Sequence, residues 1–468
     1  MIKEPVSKNY CGTVVQINQI VPIPKRDRIH HAVIFGSHVI VGKDVKEGDI
    51  GVYFPVETQL SHELVSNING YRHREWGNIQ QDAKEGFFDQ NRRVKCISFS
   101  GAKSEGFFIP ISQLSFTGVD LAELAVGTDF DELNGVPICR KYRRKYNQAG
   151  TAKGQKPKKH VEDLIVDGQF KFHTDTSNLR RNWHQINPSD VIDITWKLHG
   201  CSVVLGNLLV QRELPWYERI LQYLGVQIQT ERFGSIWASR KVVKGVDGTA
   251  KAGASHYYSE DVWGQIAKRV EHLIPKGFTV YGEIVGFTAD GGSIQSMGGN
   301  PFDYRCQPKE CELYVYRVTQ TNADGDVIEL TAPQVRSWCE SVGLKSVPLI
   351  YYGRAIDLIE REYGGYSDQL ADKIRSRCKT DPYDDNERRD AFRELFDEYL
   401  HKYYVRDQDS ALCVNKVPEE GIVVRKDGLD KCEAWKLKAW RFLKSETENL
   451  DADVVDIEEE QSAEEVTE

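Results

Sequence analysis

The chain has 468 residues, of which 40% are hydrophobic, and its formal net charge is -9 at pH 7. This length exceeds what one hydrophobic core usually holds and predicts two or three domains. No apolar run approaches the ~20 residues of a membrane helix and the N-terminus lacks a signal-peptide pattern, so we expect a soluble, intracellular, cytoplasmic protein without a membrane partner. The ten cysteines form no Cys-x-x-Cys pair, which favours reduced thiols over a disulfide framework.

The negative charge is concentrated at the C-terminus. Residues 445–468 hold eleven acidic residues and no Lys or Arg, which leaves 61 basic against 59 acidic residues in the rest of the chain. The acidic net charge therefore does not exclude a nucleic-acid partner. Residues 444–468 are predicted to be an acidic, disordered tail that aids solubility, with mimicry of nucleic acid as the alternative.

Residues 1–139 have the pattern of a small all-β domain. Short runs rich in Val, Ile and Phe alternate with turns rich in Gly, Asp and Lys. The predicted strands are Tyr10–Ile20, Ala32–Val41, Gly51–Phe54, Arg92–Phe99 and Gly106–Ile111. Five such strands favour an OB-like β-barrel, a fold that commonly binds oligonucleotides. The basic residues among them are candidates for that contact or ordinary surface charges: Lys25, Arg26, Arg28, Arg72, Arg74, Arg92, Arg93 and Lys95.

Residues 140–160 differ sharply from this domain in composition. Nine basic and no acidic residues occur between positions 140 and 159. This density predicts an interdomain linker that lies along phosphates, with a merely flexible linker as the alternative. The candidate RNA-binding residues are Arg140, Lys141, Arg143, Arg144 and Lys145.

Residues 161–443 mix strands with helices and form the predicted second domain. A helix is predicted from Ser259 through Ile274, where Val262, Ile266 and Val270 recur at the spacing of a buried helix face. A second helix is predicted over Pro333–Gly343, with proline at its start and glycine at its end. A charged helical insertion is expected over residues 356–402.

Lys197 is the candidate nucleophile. It ends an apolar strand, and Gly200 follows three residues later. An attacking lysine needs an uncharged amine near neutral pH, which burial or neighbouring cations provide. The glycine lets a phosphate or a backbone segment approach closely. Alone, the Lys-x-x-Gly pattern is common, and Lys103 and Gly106 repeat it in this chain.

The residues downstream of Lys197 strengthen this interpretation. Short strands in series carry a polar or aromatic residue, which suits a cleft between two sheets. Cations would neutralise phosphate charge, carboxylates would bind a divalent metal or ribose hydroxyls, and an aromatic ring would stack on a base. Taken singly, each has an ordinary structural explanation; together they predict nucleotidyl transfer. The candidates are Arg240, Glu283, Tyr316, Glu420, Lys436 and Lys438.

Five of these segments resemble the motifs of the covalent nucleotidyltransferases, the superfamily of DNA ligases, RNA ligases and mRNA capping enzymes. They look like motifs I, III, IIIa, IV and V, in that order: Lys197–Gly200, Tyr281–Ile284, Tyr314–Tyr316, Glu420–Val424 and Lys436–Lys438. Only thirty residues follow Lys438, and the barrel-like domain lies in front of motif I. That layout, with His173-Thr-Asp-Thr ahead of motif I, resembles the ATP-dependent RNA ligases of the Deinococcus type.

The resemblance implies an α+β architecture: an N-terminal OB-like barrel, then a nucleotidyltransferase domain of antiparallel sheets with flanking helices. It implies that Lys197 forms lysyl-AMP and that Gly200, Arg240, Glu283, Tyr316, Lys436 and Lys438 contact the nucleotide. Glu420, with Glu283, would bind Mg²⁺ or Mn²⁺. Two positions depart from the family pattern, because His199 stands where most members have Asp or Asn and Arg317 replaces an Asp common in other RNA ligases.

The expected activity is the joining of RNA 3'-OH and 5'-phosphate ends with ATP, at nicks in RNA-containing duplexes, by a monomer. Two alternatives stay open. A capping-type guanylyltransferase would use the same lysine with GTP. A non-catalytic RNA-binding protein would retain the barrel and linker on an inactive transferase core.

Overall fold

The computed structural model describes residues 2–80, 86–99, 101–143, 161–250, 258, 260–365, 367–428, 433–452 and 454. The chain divides into two compact units. Unit 1 comprises Met1–Asn147, Ser177–Trp183 and Ala439–Ala452, and unit 2 comprises Gln148–Thr176, His184–Lys438 and Asp453–Glu468. Within the described ranges, no helix combines the length and the apolar character that crossing a membrane requires.

The described residues form eight α-helices, of which the first and last belong to unit 1 and the others to unit 2. They are α1 (His62–Asn67), α2 (Trp216–Tyr223), α3 (Val262–Val270), α4 (Ala332–Val342), α5 (Ala355–Glu360), α6 (Ser367–Arg375), α7 (Asp385–Tyr403) and α8 (Trp440–Asp451).

Unit 1 is built from short strands. They are β1 (Gly12–Gln16), β2 (Ile20–Pro22), β3 (Ile29–Ile34), β4 (Ser37–Gly42), β5 (Ile50–Phe54), β6 (Thr58–Leu60), β7 (Cys96–Phe99), β8 (Ala102–Glu105), β9 (Phe107–Pro110), β10 (Asp129–Phe130), β11 (Glu132–Leu133), β12 (Val136–Pro137), β13 (Cys139–Lys141) and β14 (Ser177–Asn178). The larger groupings are a sheet in the order β10-β1-β5-β9 and a sheet in the order β2-β3-β4, both antiparallel.

The predicted OB-like barrel is not confirmed, because the described strands of unit 1 pair into separate antiparallel sheets rather than one closed sheet. The single strand predicted over Ala32–Val41 is wrong. Phe35 and Gly36 both have positive φ, at 50° and 72°, and they turn the chain between β3 and β4. A phenylalanine at the first turn position concealed this hairpin, since turn prediction relies on Gly, Asn and Asp there.

The predicted disordered tail begins too early. Residues up to Asp451 lie in α8, whose Phe442 and Thr447 side chains are buried in unit 1. Trp440 contributes a further contact there, because the Lys103 amine lies 4.4 Å from the centre of its ring. Residues 177–183 and 439–443 were predicted in the second domain but belong to unit 1. Residues 455–468 lie outside the described ranges.

The described part of unit 2 contains two larger sheets and the two-stranded pair of Ser296–Met297 with Asn300–Pro301. Its strands are β15 (Val191–Trp196), β16 (Cys201–Gln211), β17 (Glu231–Ala238), β18 (Val243–Val246), β19 (Thr249–Ala250), β20 (Phe278–Gly286), β21 (Ser296–Met297), β22 (Asn300–Pro301), β23 (Cys311–Thr321), β24 (Val327–Glu329), β25 (Lys345–Ser346), β26 (Leu349–Arg354), β27 (Gly421–Lys426) and β28 (Glu433–Lys438). The larger sheet has the order β19-β18-β17-β16-β20-β23-β24, with β25 beside β23, and the smaller has the order β28-β27-β15-β26.

The helices predicted in the second domain are present. The apolar stripe of α3, Val262, Ile266 and Val270, is buried in one core with residues of β16, β20 and β23. Asp261 caps this helix, and the predicted start at Ser259 lies outside the described residues. Helix α4 has proline in its first turn and ends at Gly343 with φ 74°, as expected. Helices α5, α6 and α7 form the predicted insertion.

Candidate active site

The segment Lys197–Gly200, here called the nucleophile loop, connects the two sheets of unit 2. It leaves β15 of the smaller sheet and enters β16 of the larger one. The Lys197 backbone N–H donates to the Gly421 carbonyl at 2.9 Å, which ties the start of the loop to β27. The Gly200 N–H donates to Glu283 Oε1 at 3.0 Å, which ties its end to β20. The loop is therefore held from both sheets.

Gly200 has no room for a side chain. A Cβ built there would lie 2.2 Å from the Ile284 carbonyl oxygen and 2.9 Å from Cγ of Glu283. Such distances require the backbone of β20 to move. Of the two expected roles for this glycine, the structure shows the close approach of a neighbouring backbone.

The Lys197 amine lies against a buried carboxylate. Its Nζ is 2.8 Å from Glu420 Oε1, and Lys438 Nζ is 3.5 Å from the same oxygen. The Glu420 side chain is only 2% exposed. Burial raises the pKa of Glu420, but the charges of Lys197, Lys438 and His199 outweigh it and hold that pKa below its ordinary value. Two of the predicted cations thus share one ionised carboxylate.

Lys436 joins the same group of charges. Trp435 and Leu437, its neighbours on β28, are buried, so Lys436 and Lys438 share the opposite face of that strand, as predicted. Burial, followed by the charges of Lys438, Lys197 and Arg240, lowers the pKa of Lys436 to about 7. The lowered pKa expected for the nucleophile Lys197 stays a prediction.

Glu283 binds the end of the nucleophile loop from β20. It lies on β20 opposite Ser202, and besides accepting from Gly200 it has Oε2 3.5 Å from the Ser202 hydroxyl. A role for Glu283 toward ribose or a metal stays a prediction.

Arg240 and Tyr316 both contact the segment Lys171–Thr176, which lies ahead of the nucleophile loop in the sequence. The Arg240 guanidinium donates to Asp175 Oδ1 at 2.6 Å, and the Tyr316 hydroxyl is 3.0 Å from His173 Nδ1. The Tyr316 ring packs against the buried cluster around Tyr281. The proposed contacts of Arg240 and Tyr316 with a nucleotide stay predictions.

The two departures from the family pattern have different surroundings. His199 packs its ring edge-on against Phe302 at 4.8 Å, and its Nδ1 is 4.0 Å from Glu420 Oε2. It therefore combines core packing with proximity to the site. Arg317 forms an ion pair with Glu329 and lies 4.3 Å from the centre of the Tyr281 ring. Arg317 is thus bound within the core of unit 2.

The predicted RNA-binding residues fall in unit 1 or outside the described ranges. Arg140 donates to the Gln59 side chain at 2.9 Å, and the Lys141 amine lies 5.3 Å from the centre of the Tyr10 ring. Arg143 is exposed. Arg144, Lys145 and the rest of the basic linker to residue 160 lie outside the described residues.

One oxygen of the site fits a bound cation. The buried Glu420 Oε2 has no hydrogen-bond partner among the described residues, and a carboxylate oxygen is a hard ligand of the kind that Mg²⁺ and Mn²⁺ prefer. Where the structure describes the chain, it contains no group of three His, Cys, Asp or Glu residues spaced to hold a metal.

Two residues at the loop were not predicted. Tyr304 accepts a hydrogen bond from the His199 backbone N–H at 2.6 Å, and the Gln295 side-chain amide donates to the Gly200 carbonyl at 3.1 Å. Both contact backbone atoms of a segment about a hundred residues earlier in the chain. No local pattern marks such residues, so only the tertiary structure reveals them.

Comparison with known families gives one match. A sequence model described as RNA ligase matches residues 191–438, which is more than half of the chain and includes every motif from Lys197 to Lys438. No curated protein matches the chain.

Solved structures of Naegleria gruberi RNA ligase share the fold. A variant with AMP and Mn has a TM-score of 0.52 and 16% identity, over 92% of this chain and 98% of that chain. An apo variant has a TM-score of 0.52 and 17% identity, over 94% and 98%. The structure with PPi has a TM-score of 0.51 and 16% identity, over 95% and 100%. At this identity the similarity is one of fold.

Proposed function

The chain belongs to the RNA ligase family, and from this premise we propose that it joins RNA 3'-OH and 5'-phosphate ends with ATP through a lysyl-AMP intermediate. One observation carries the proposal. The Lys197 amine lies 2.8 Å from a buried carboxylate oxygen of Glu420, and Lys438 lies 3.5 Å from the same oxygen. This places a candidate nucleophile within a group of charges suited to polyphosphate.

In the first step, the uncharged Lys197 amine attacks the α-phosphorus of ATP. A bond forms between the lysine nitrogen and the α-phosphorus. The bond between the α-phosphorus and the oxygen that bridges to the β-phosphate breaks, and pyrophosphate leaves. The amine proton must depart, and Glu420 Oε1, which lies 2.8 Å from the amine nitrogen, can accept it. Lys436 and Lys438 neutralise charge that gathers on the phosphate oxygens, which lowers the barrier.

The next two steps use the same residues. A 5'-phosphate oxygen of the RNA attacks the lysyl-AMP phosphorus, forms a phosphoanhydride and returns the Lys197 amine. The RNA 3'-OH then attacks the adenylylated 5'-phosphate, so that a phosphodiester forms and AMP leaves. Arg240 is suited to bind the terminal phosphate, because a guanidinium donates to phosphate oxygens in the same way as it donates to the Asp175 carboxylate at 2.6 Å.

A divalent cation fits the site through Glu420 Oε2, the buried oxygen without a hydrogen-bond partner in the described chain. Bound there, Mg²⁺ or Mn²⁺ would supply positive charge to the phosphate oxygens. The Naegleria ligase structures with AMP, ATP and Mn support this choice of nucleotide and ion. Tyr316 would stack on adenine, and Glu283 would bind the ribose or contribute to the metal site.

The RNA substrate is proposed to be a nick in an RNA-containing duplex, sealed by a monomer of the Deinococcus type. The support is the order of the motifs and the position of unit 1 ahead of them in the sequence. Unit 1 and the basic linker would contact duplex phosphates, with affinity that falls as salt rises.

The test is covalent labelling. Purified protein is incubated with Mg²⁺ or Mn²⁺ and either ATP or GTP labelled at the α-phosphate, then denatured and scored for retained label. We expect label from ATP, none in Lys197→Ala, and wild-type labelling in Lys268→Ala, which removes an exposed lysine from α3. Label that persists in Lys197→Ala contradicts the assigned nucleophile, and label from GTP alone supports a guanylyltransferase.

A further inference from the structure

Residues 302–306 lie beside the nucleophile loop and contain a tight turn, in which the Cys306 N–H donates to the Asp303 carbonyl at 2.8 Å. Tyr304 and Arg305 both have positive φ, at 43° and 62°, a region that residues other than glycine seldom adopt. Two such residues in succession are unfavourable unless the surrounding structure holds them in place. The side chain of Tyr304 is nevertheless almost entirely buried, at 6% exposed.

The turn is held by hydrogen bonds to a second segment, residues 411–415. The buried Asp303 carboxylate accepts from the Val414 N–H at 3.0 Å, the Asn415 N–H at 2.7 Å and the Arg305 N–H at 2.7 Å. The Arg305 guanidinium donates to the Ala411 carbonyl at 3.0 Å. These bonds over-determine the strained backbone, so the position of Tyr304 is fixed independently of the loop that it contacts.

The strained turn presents two groups to His199. The Phe302 ring packs edge-on against the imidazole at 4.8 Å, and the Tyr304 hydroxyl accepts from the His199 backbone N–H at 2.6 Å. That N–H is two residues from Lys197, whose own N–H is bound by Gly421. The two bonds flank Leu198 and hold the backbone of the loop on either side of it.

We propose that Tyr304 is a positioning residue for the nucleophile, and that its hydroxyl holds the loop in the conformation that presents the Lys197 amine to the α-phosphate. This inference rests on the proposed ligase function. Reaction rates depend steeply on such alignment, because a displacement of about 1 Å can cost about 100-fold. The remainder of the turn provides the rigid base from which Tyr304 acts.

The test variant is Tyr304→Phe, which removes only the hydroxyl. Its control is Tyr351→Phe, because Tyr351 is also buried and donates to the Arg354 carbonyl at 2.7 Å. Arg354 pairs with Val191, the first residue of β15, whereas Lys197 follows the last residue of that strand. The control therefore removes a buried tyrosine hydroxyl of the same unit away from the nucleophile.

The measurements are single-turnover labelling with ATP and hydrogen exchange of residues 197–200. For Tyr304→Phe we expect the rate constant at saturating ATP to fall about tenfold, the loss of one hydrogen bond. The half-saturating ATP concentration and the final extent of labelling should stay at wild-type values, while amide exchange in the loop accelerates. Tyr351→Phe should retain the wild-type rate constant and loop exchange.

Three results would overturn the inference. They are an unchanged rate constant in Tyr304→Phe, an equal fall in Tyr351→Phe, or a fall only in the extent of labelling, which reports misfolded protein. If the wild-type chain takes no label, the ligase proposal fails and this inference fails with it. A wild-type chain that labels normally beside an unaffected Tyr304→Phe contradicts the positioning role alone.

Discussion

Buried charges occur in both units, but their balance differs. In unit 1 the Arg93 side chain is 1% exposed and binds Glu57 at 3.1 Å, Asp451 at 2.5 Å and the Thr447 carbonyl at 3.0 Å. Arg93 thus has two carboxylates and a carbonyl around it, of which Asp451 is shared with the Lys95 amine at 3.1 Å. In unit 2 the ratio of cations to carboxylates is higher, because Lys197 and Lys438 share the one carboxylate of Glu420.

The difference separates a structural charge from a functional one. Arg93 is neutralised within the folded chain, so its ion pairs contribute to folding. At the candidate site, the cationic side chains of Lys197, Lys436, Lys438 and Arg240 outnumber the carboxylates of Glu420, Glu283 and Asp175 in the described part of the chain. Such a surplus of positive charge suits an anionic substrate. Three changes test this contrast.

The largest effect is expected from Glu420→Gln, which keeps the size of the side chain and removes its charge. Labelling of Lys197 by ATP should slow about 100- to 1,000-fold, because the amine loses the carboxylate that lies 2.8 Å from it and the site loses the proposed metal ligand. Single-turnover labelling measures the change. Glu312→Gln is the control, since Glu312 pairs with Arg269 near the surface, and wild-type rates in Glu420→Gln would show that its charge has no part in the reaction.

An effect on stability is expected from Arg93→Ala. Removing one member of a buried ion-pair group leaves the other charges uncompensated, and the free energy of unfolding of unit 1 should fall by about 3–5 kcal/mol. Urea unfolding followed by circular dichroism measures this loss, while the labelling rate of the folded protein stays unchanged. In Arg72→Ala the loss should be below about 1 kcal/mol, because that arginine is 56% exposed in its pair with Asp89. Equal losses in the two variants would refute the distinction.

The smallest effect is expected from pH. The pKa of Lys436 is lowered to about 7, so its ammonium forms as pH falls from 8 to 6. The added positive charge should tighten ATP binding severalfold as pH falls from about 9 to 6 in Lys197→Met, a variant that binds without forming the adduct and in which the pKa of Lys436 is higher than in the wild-type protein because the Lys197 charge is absent. Equilibrium binding at each pH measures the change. In Lys197→Met with Lys436→Met the contribution should vanish, and an identical pH dependence in both proteins would contradict the role of Lys436.

The motifs of the site could be predicted because each is local. Alternation along a strand places Lys436 and Lys438 on one face, and their ordered spacing from Lys197 and Glu420 identifies the family. The apolar stripe of α3 was equally readable. Each of these features depends on residues close together in the chain, where periodicity determines which side chains share a face.

Other features depended on contacts between distant residues. Helix α8 lies in a segment whose acidic composition predicted disorder, yet buried Phe442 and the pairing of Asp451 with Arg93 hold it in unit 1. The hairpin at Phe35 and Gly36 had no recognisable turn residue at its first position. Both errors arose because composition was used where packing decided the structure.

Sequence alone established the family, the nucleophile candidate and the order of the charged motifs. Tertiary structure alone decided which groups surround Lys197, that Gly200 abuts the backbone of β20, and that Tyr304 binds the loop from a strained turn. The physical reason is that propensity and periodicity act over a few residues. Burial, charge balance and backbone strain are properties of neighbours in space, and these neighbours are about eighty residues or more apart in the chain.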